Sequence, residues 1–193
     1  MKKTFIAASV LGTLISADSF AKTEGNFIGL DLVNTESQMV DVTNGQQHRE
    51  DDFGFGINYQ HAFNFNGFFV APEIFYDSNR NLGRANGNSD ELLYSYGLKA
   101  NLGYDITDKI ALFAVLGGGQ ARSQSNLSNV VEDRTDEFFT YGLGAAYEIN
   151  DKFAINIGYE ISQYTNSKDP LTDTTDSFNS DFKVARVGVT YNF

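Results

Sequence analysis

The sequence contains no cysteine, and its 193 residues include only two prolines and two histidines. Without cysteine the chain has no disulfide and no thiolate metal site, which suits an oxidising compartment. With 18 glycines against so few prolines, the composition favours strands and tight turns over helices. We therefore begin from an all-β interpretation.

Long hydrophobic runs are also missing. After the N-terminus no stretch has the roughly 18 consecutive apolar residues that a membrane helix requires. This absence does not argue against a membrane β-barrel, because the apolar residues of its strands alternate with polar ones. Aromatic residues are abundant at 14%, with 17 phenylalanines and 10 tyrosines.

Positive charge is scarce, and the net charge is −11. Phosphate backbones bind basic surfaces, so this balance argues against nucleic acid as a partner. We interpret the excess of acids as solvated loops.

Met1–Ala21 has the features of a secretory signal peptide. Lys2 and Lys3 precede a short apolar run. Ser19 and Ala21 supply small residues at the two positions that a signal peptidase requires, which predicts cleavage after Ala21. We therefore predict a signal peptide at 1–21 and one domain at 22–193.

The last residues of the chain alternate between two faces with the period of a strand. One face is apolar and the other is polar or very small. The apolar face carries Ala185, Val187, Val189, Tyr191 and Phe193, and the other carries Arg186, Gly188, Thr190 and Asn192.

Seven earlier segments alternate in the same way, and each has about the ten residues that a tilted strand needs to cross hydrocarbon. Pro72 removes a ladder donor, which predicts a bulge there. In the fifth strand, apolar on both faces, we expect Phe113 and Val115 to point outward, because this places Arg122 inside. In the fourth we expect Leu92 to point outward. The strands are predicted near Asn26–Val33, Asp52–His61, Phe68–Asp77, Leu92–Tyr104, Lys109–Arg122, Phe139–Glu148 and Phe153–Ser162.

Long and short connections follow one another in strict alternation. An up-and-down barrel with short turns on the inner side of a membrane and long loops outside requires this order. A lipocalin-like soluble barrel would instead place its apolar residues inside. We therefore predict an all-β, eight-stranded, antiparallel, up-and-down transmembrane β-barrel. The long connections are predicted at 34–51, 77–90, 123–136 and 163–180, and the tight turns near 64–67, 105–108 and 150–152.

Several short motifs resemble the small eight-stranded barrels of the OmpA and OmpX group, which includes opacity and attachment/invasion proteins. They are the Ala-Pro-Glu around Glu73, the run Leu112–Gly119, the segment Tyr141–Gly144 and the terminal Tyr-Asn-Phe. The resemblance implies a bacterial outer-membrane location, with membrane lipid and lipopolysaccharide as surroundings. It also implies that Val187, Val189, Tyr191 and Phe193 form a C-terminal signal for the barrel assembly machinery.

Charged residues fall on the predicted inner face, where an unpaired charge is expensive to desolvate. We predict that Glu73 pairs with Lys99, since the two lie at matching depth on adjacent strands. By the same count Glu160 pairs with Arg186, which Asp31 could share. Such pairs either plug the lumen or gate a narrow pore.

Residues for catalysis or metal binding are few. His48 and His61 show no His-x-Ser arrangement, so we predict no enzyme activity and no cofactor. The acids at Glu50–Asp52 and at Asp169, Asp173 and Asp176 lack a fixed spacing of cation ligands, and we predict no metal site.

The leading functional hypothesis is an adhesion-type or structural surface protein whose outer loops contact host surface molecules or lipopolysaccharide. The alternative is a narrow, porin-like ion channel gated by the lumen ion pairs. A lipid A-modifying enzyme is the third and least favoured hypothesis.

Overall fold

The computed structural model describes residues 23–40, 47–80, 89–127, 130–165 and 181–193. They form a closed barrel in which every strand pairs antiparallel with its sequence neighbours and the last pairs with the first. The predicted eight-stranded, all-β, up-and-down barrel is thus confirmed. The strands are β1 Gly25–Val40, β2 Gln47–Phe65, β3 Phe68–Arg80, β4 Ser89–Thr107, β5 Ile110–Leu127, β6 Val130–Asn150, β7 Phe153–Thr165 and β8 Asp181–Asn192.

Within those ranges, no helix has the length and apolar character needed to span a membrane. The predicted signal peptide at 1–21 lies outside the described residues.

One end of the barrel, here called the turn end, carries the tight connections. Asn66 and Gly67 join β2 to β3 with φ angles of 57° and 91°. Two successive positive φ values in an Asn-Gly pair are those of a type I′ hairpin turn. The other tight connections are Asp108–Lys109 and Asp151–Lys152. All three lie in or beside the predicted positions.

The strands are longer than predicted at the opposite, loop end. They run from 12 to 21 residues, so the expectation of about ten is wrong. Much of 34–51 and 123–136 is paired strand rather than loop. The ladder needs only backbone groups, so polar residues continue it past the apolar part of the barrel. The connections 41–46, 81–88, 128–129 and 166–180 lie outside the described residues.

The outer surface of the barrel is a continuous apolar belt. Leu30, Phe55, Leu98 and Leu143 expose 64–70% of their surface. From Phe68 to Tyr76 on tilted β3 the belt is about 20 Å tall. This confirms the predicted direction of most alternating faces, and so large an apolar area requires non-aqueous surroundings.

Aromatic pairs border the belt at both ends. Near the turn end Phe68 packs on Tyr104 with ring centroids 4.7 Å apart, and Phe153 packs on Tyr191 at 5.2 Å. Nearer the loop end, the rings of Tyr76, Tyr94 and Tyr96 stack across β3 and β4. Such positions are typical of the two faces of a lipid bilayer.

Three local predictions are wrong, and the first concerns β5. Val115 is 3% exposed, and Phe113 packs inside the barrel against the buried cluster around Phe69. Leu112 and Leu116 take the outer face, which also carries Arg122 toward the Tyr94 hydroxyl at 3.4 Å. Small neighbours explain why Phe113 points inward, because Ala71, Ala111 and Ala146 leave interior space that its phenyl ring fills.

The other two corrections concern Leu92 and Pro72. Leu92 packs inward against Phe75 and Phe138, because the β4–β5 register shifts between Leu92 and Tyr94. At Pro72 there is no bulge. Pairing with β2 stops around the proline and resumes in the same register, while Pro72 still lies opposite Ala100 on the other side.

Candidate functional site

Four charged side chains from two separate pairs of neighbouring strands meet inside the barrel. Asp77 comes from β3, Lys99 from β4, Glu160 from β7 and Arg186 from β8. Strand alternation turns each of them inward. We call this set the lumen network.

The lumen network is held by short, charge-assisted contacts. The Arg186 Nη1 and Nη2 atoms donate to the Asp77 Oδ1 and Oδ2 atoms at 2.8 and 2.6 Å. Arg186 Nε donates to Glu160 Oε1 at 2.9 Å. Lys99 Nζ lies 2.8 Å from Glu160 Oε2 and 3.0 Å from Oε1. A fork-to-fork arginine–carboxylate contact fixes orientation as well as charge.

The lumen network is buried and lies beside an aromatic ring. Its four side chains are 2–12% exposed. Lys99 Nζ lies 4.2 Å from the centroid of the Phe75 ring, and the Arg186 guanidinium carbon lies 5.7 Å from it. The Thr140 hydroxyl donates to Glu160 Oε2 at 3.4 Å. Removing Arg186 would leave the buried Asp77 without its partner in the network, and removing Glu160 would do the same to Lys99.

Of the two predicted ion pairs, the structure contains Glu160–Arg186 but not Glu73–Lys99. Glu160 and Arg186 contact each other diagonally, since Arg186 lies opposite Gly158 in the ladder. Glu73 does lie opposite Lys99. Yet the Lys99 ammonium crosses the lumen to Glu160, so the predicted Glu73–Lys99 ion pair is wrong. In so narrow a lumen a long side chain reaches the far wall as easily as its neighbour.

The remaining two acids accept hydrogen bonds from amides. Glu73 Oε2 accepts from Asn101 Nδ2 at 2.7 Å, and Asp31 Oδ2 accepts from Asn58 Nδ2 at 2.8 Å. Asp77 occupies both terminal nitrogens of the Arg186 guanidinium, so Asp31 shares Arg186 through longer-range charge attraction and not through a hydrogen bond.

Asp77 is the member of the lumen network that sequence reasoning missed. The prediction ended the third strand at this residue and counted it with the following loop. The sequence does indicate that Asp77 faces inward, because it continues an alternating series of inward-facing residues. That series is Phe69, Ala71, Glu73 and Phe75.

Two cavities lie on either side of the lumen network. The turn-end cavity measures about 90 Å³ and the loop-end cavity about 20 Å³. Glu160 and Arg186 line both, so the lumen network is the partition between them. As arranged here, the ion pairs close the lumen.

The histidines and the loop acids contribute no site in the described part of the chain. His61 lies at the turn end, its Nδ1 atom 2.9 Å from the Asn26 amide oxygen. The side chains of His48, Glu50 and Asp51 and the whole of Asp169, Asp173 and Asp176 lie outside what the structure describes. Among described residues, no three His, Asp or Glu side chains are grouped to hold a metal ion.

The C-terminal residues close the barrel. Val187, Val189 and Phe193 expose 47–65% of their surface on the outer face, and Tyr191 stacks on Phe193 at 6.5 Å. β8 pairs along its length with both β7 and β1. Recognition of this segment by an assembly machinery stays a prediction.

The sequence matches a known family over nearly its whole length. The family model described as "Outer membrane protein beta-barrel domain" matches residues 6–193. The chain belongs to this family. It is therefore a protein of the bacterial outer membrane, with the turn end toward the periplasm and the loop end outside.

Solved structures share the fold at low sequence identity. The chain is similar to Neisserial surface protein A, with 15% identity, a TM-score of 0.63 and coverage of 88% of this chain and 97% of that one. It is also similar to the attachment invasion locus protein Ail of Yersinia pestis, with 19% identity, a TM-score of 0.60 and coverage of 89% and 100%. The N-terminal β-barrel domain of Pseudomonas aeruginosa OprF follows at 16% identity, a TM-score of 0.51 and coverage of 89% and 100%. No curated protein matches the sequence.

Proposed function

We propose that this protein is a non-catalytic surface barrel that presents its loop end to partners outside the cell. The observation that carries the proposal is the extension of the strands past the apolar belt. β5 and β6 pair continuously from Ile110–Tyr147 to Leu127–Val130, whereas about 9–11 residues suffice to cross the membrane. The extra length forms a stiff outer platform.

The closed lumen supports the same proposal. Because the lumen network joins opposite walls, the barrel is braced against distortion, and a rigid base lowers the entropy cost of holding a binding surface in place. Both cations of the network are engaged by carboxylates, which leaves them no part in acid–base chemistry.

Charge restricts the class of partner. A crystal structure of Ail contains a heparin analogue, sucrose octasulfate, which is a polyanion. The present chain carries a net charge of −11. Like charges repel, so we propose a cationic or neutral host surface, or lipopolysaccharide bridged by divalent cations, rather than a sulfated glycan.

Adherence of whole cells tests the surface role. We expect a non-adherent bacterium that expresses the protein to bind cultured epithelial cells more strongly than its parent. Replacing residues 166–180 with Asn-Gly should abolish most of the gain, because it shortens the connection between β7 and β8 at the loop end and changes no residue of either strand. The matched control replaces Asp151–Lys152 with Asn-Gly at the periplasmic end and should retain the gain. Equal adherence of both variants would contradict the proposal.

A gated channel is the second candidate, and one observation favours it. Glu73 lies directly opposite Lys99 in the ladder, although Lys99 contacts Glu160. A rotation of the lysine side chain from Glu160 to Glu73 would exchange one carboxylate partner for another. The partition between the two cavities would then open on one side.

Bilayer recording separates these candidates. We expect the wild-type protein to show no steady openings. Glu160→Gln should introduce openings at least tenfold more often, because the neutral amide releases Lys99 toward Glu73. Glu148→Gln removes a carboxylate at the turn end, outside the lumen network, and should stay silent. Identical records from all three proteins would remove the channel candidate.

A further inference from the structure

The turn-end cavity has an interior chemistry that neither surface display nor conduction uses. It extends from the lumen network to Thr23 and Lys109 at the periplasmic rim. The lumen network closes its far side. Anything that enters it therefore comes from the periplasm and stops against Glu160 and Arg186.

Negative charge dominates this cavity. Asp31, Glu73, Glu148 and Glu160 line it, against Lys109 and Arg186. Arg186 is held by Asp77 and Glu160, and Glu160 also takes Lys99. The cations nearest the cavity are thus already engaged or lie at its rim.

Two of these carboxylates are only half satisfied. In the described part of the chain, Glu73 accepts from Asn101 and Asp31 accepts from Asn58, each through one oxygen. No described donor reaches the second oxygen of either group, and both residues line the cavity. A carboxylate oxygen in a low-dielectric site interacts strongly with any cation that approaches it.

Nearer the turn end, the lining of the cavity is apolar and aromatic. Phe27 and Phe69 belong to a buried cluster with Ala71 and Ala111, and Phe113 packs against it. Phenyl faces attract cations as well as hydrocarbon, as the position of Lys99 over Phe75 shows in this same lumen. An inorganic ion would leave this wall uncovered, and hard cations need six or more oxygen ligands.

We propose that the turn-end cavity is a binding site for a small organic ammonium ion with an apolar body. The charged head contacts Glu73 and Asp31, and the body packs against Phe27, Phe69 and Phe113. A cavity of about 150 Å³ accommodates benzene, so at about 90 Å³ this one has room for about four non-hydrogen atoms. This site is independent of any partner bound at the loop end.

Propylammonium is a probe of this size and charge, and 1-propanol is its neutral match. With the barrel in lipid nanodiscs, the methyl NMR signals of Ala71, Ala111 and Ala146 report the cavity, while Ala185 on the outer face reports partition into lipid. We expect propylammonium to shift the three cavity methyls and to bind at least tenfold more tightly than 1-propanol. Equal affinities would overturn the proposal.

Substitutions test which carboxylate contacts the ammonium group. Glu73→Gln should weaken propylammonium binding about tenfold, whereas Asp151→Asn, an exposed acid at the same end outside the cavity, should leave it unchanged. If Glu73→Gln does not fold, Ala146→Leu decides the matter by filling the apolar side without changing charge. Undiminished binding to either folded variant would contradict the proposed site.

Discussion

Replacement of Arg186 with methionine is expected to lower the free energy of unfolding by about 3–5 kcal/mol, the cost of breaking a buried ion pair from one side. Arg186 supplies three of the hydrogen bonds that hold Asp77 and Glu160. Methionine fills a similar volume without donors, so Asp77 would remain 2% exposed without its guanidinium partner. Urea unfolding in detergent micelles, followed by far-UV circular dichroism, measures the loss.

The matched control is Lys183→Met, three residues earlier on the same strand. Lys183 Nζ lies 3.8 Å from Glu36 Oε1, and its side chain is 32% exposed. A partly solvated pair of this kind contributes about 0–1 kcal/mol, so the control should unfold almost as the wild type does. Similar losses for the two variants would mean that the lumen network contributes no special stability.

Leu143→Arg is expected to have the second large effect, destabilising the barrel in lipid vesicles by about 2–4 kcal/mol. Leu143 lies near the middle of the apolar belt on β6 and exposes 70% of its side chain. An arginine there would place its charge against acyl chains. Reversible unfolding from vesicles, monitored by the heat-dependent shift in gel mobility, gives the difference.

Gln163→Arg tests whether the destabilisation by an arginine depends on its depth in the membrane. Gln163 is also exposed on the outer face, but it lies opposite Phe139 near the loop-end border of the belt. An arginine there can extend into water, and we expect a cost of about 0–1 kcal/mol. A cost equal to that of Leu143→Arg would show that the apolar belt is not the lipid-facing surface.

The barrel could be predicted from the sequence because its two strongest signals are local. Alternation with period two identifies strands and their faces, and Asn66-Gly67 fixes a two-residue turn. β8 illustrates this, since Val187, Val189 and Phe193 all face outward as predicted. The lengths of the strands could not be predicted from this alternation, because the polar extensions of β5 and β6 have the composition of loops.

The lumen partners could not be predicted, because they depend on the width of the barrel. Depth counting placed Glu73 beside Lys99, and they are neighbours in the ladder. The choice of Glu160 instead reflects distance across the lumen, which no local pattern encodes. The prediction for the fifth strand was wrong for a related reason, since much of the space that admits Phe113 is left by alanines on other strands, Ala71 on β3 and Ala146 on β6.

The bond between Arg186 and Asp77 links residues 109 positions apart in the chain. Arg186 lies on the strand that also seals the sheet against β1. The two acids and two bases of the network therefore balance only when β8 is in place, so closure of the sheet and neutralisation of the network occur together. A chain truncated before Arg186 would retain an acid, Asp77, that nothing else in the network neutralises.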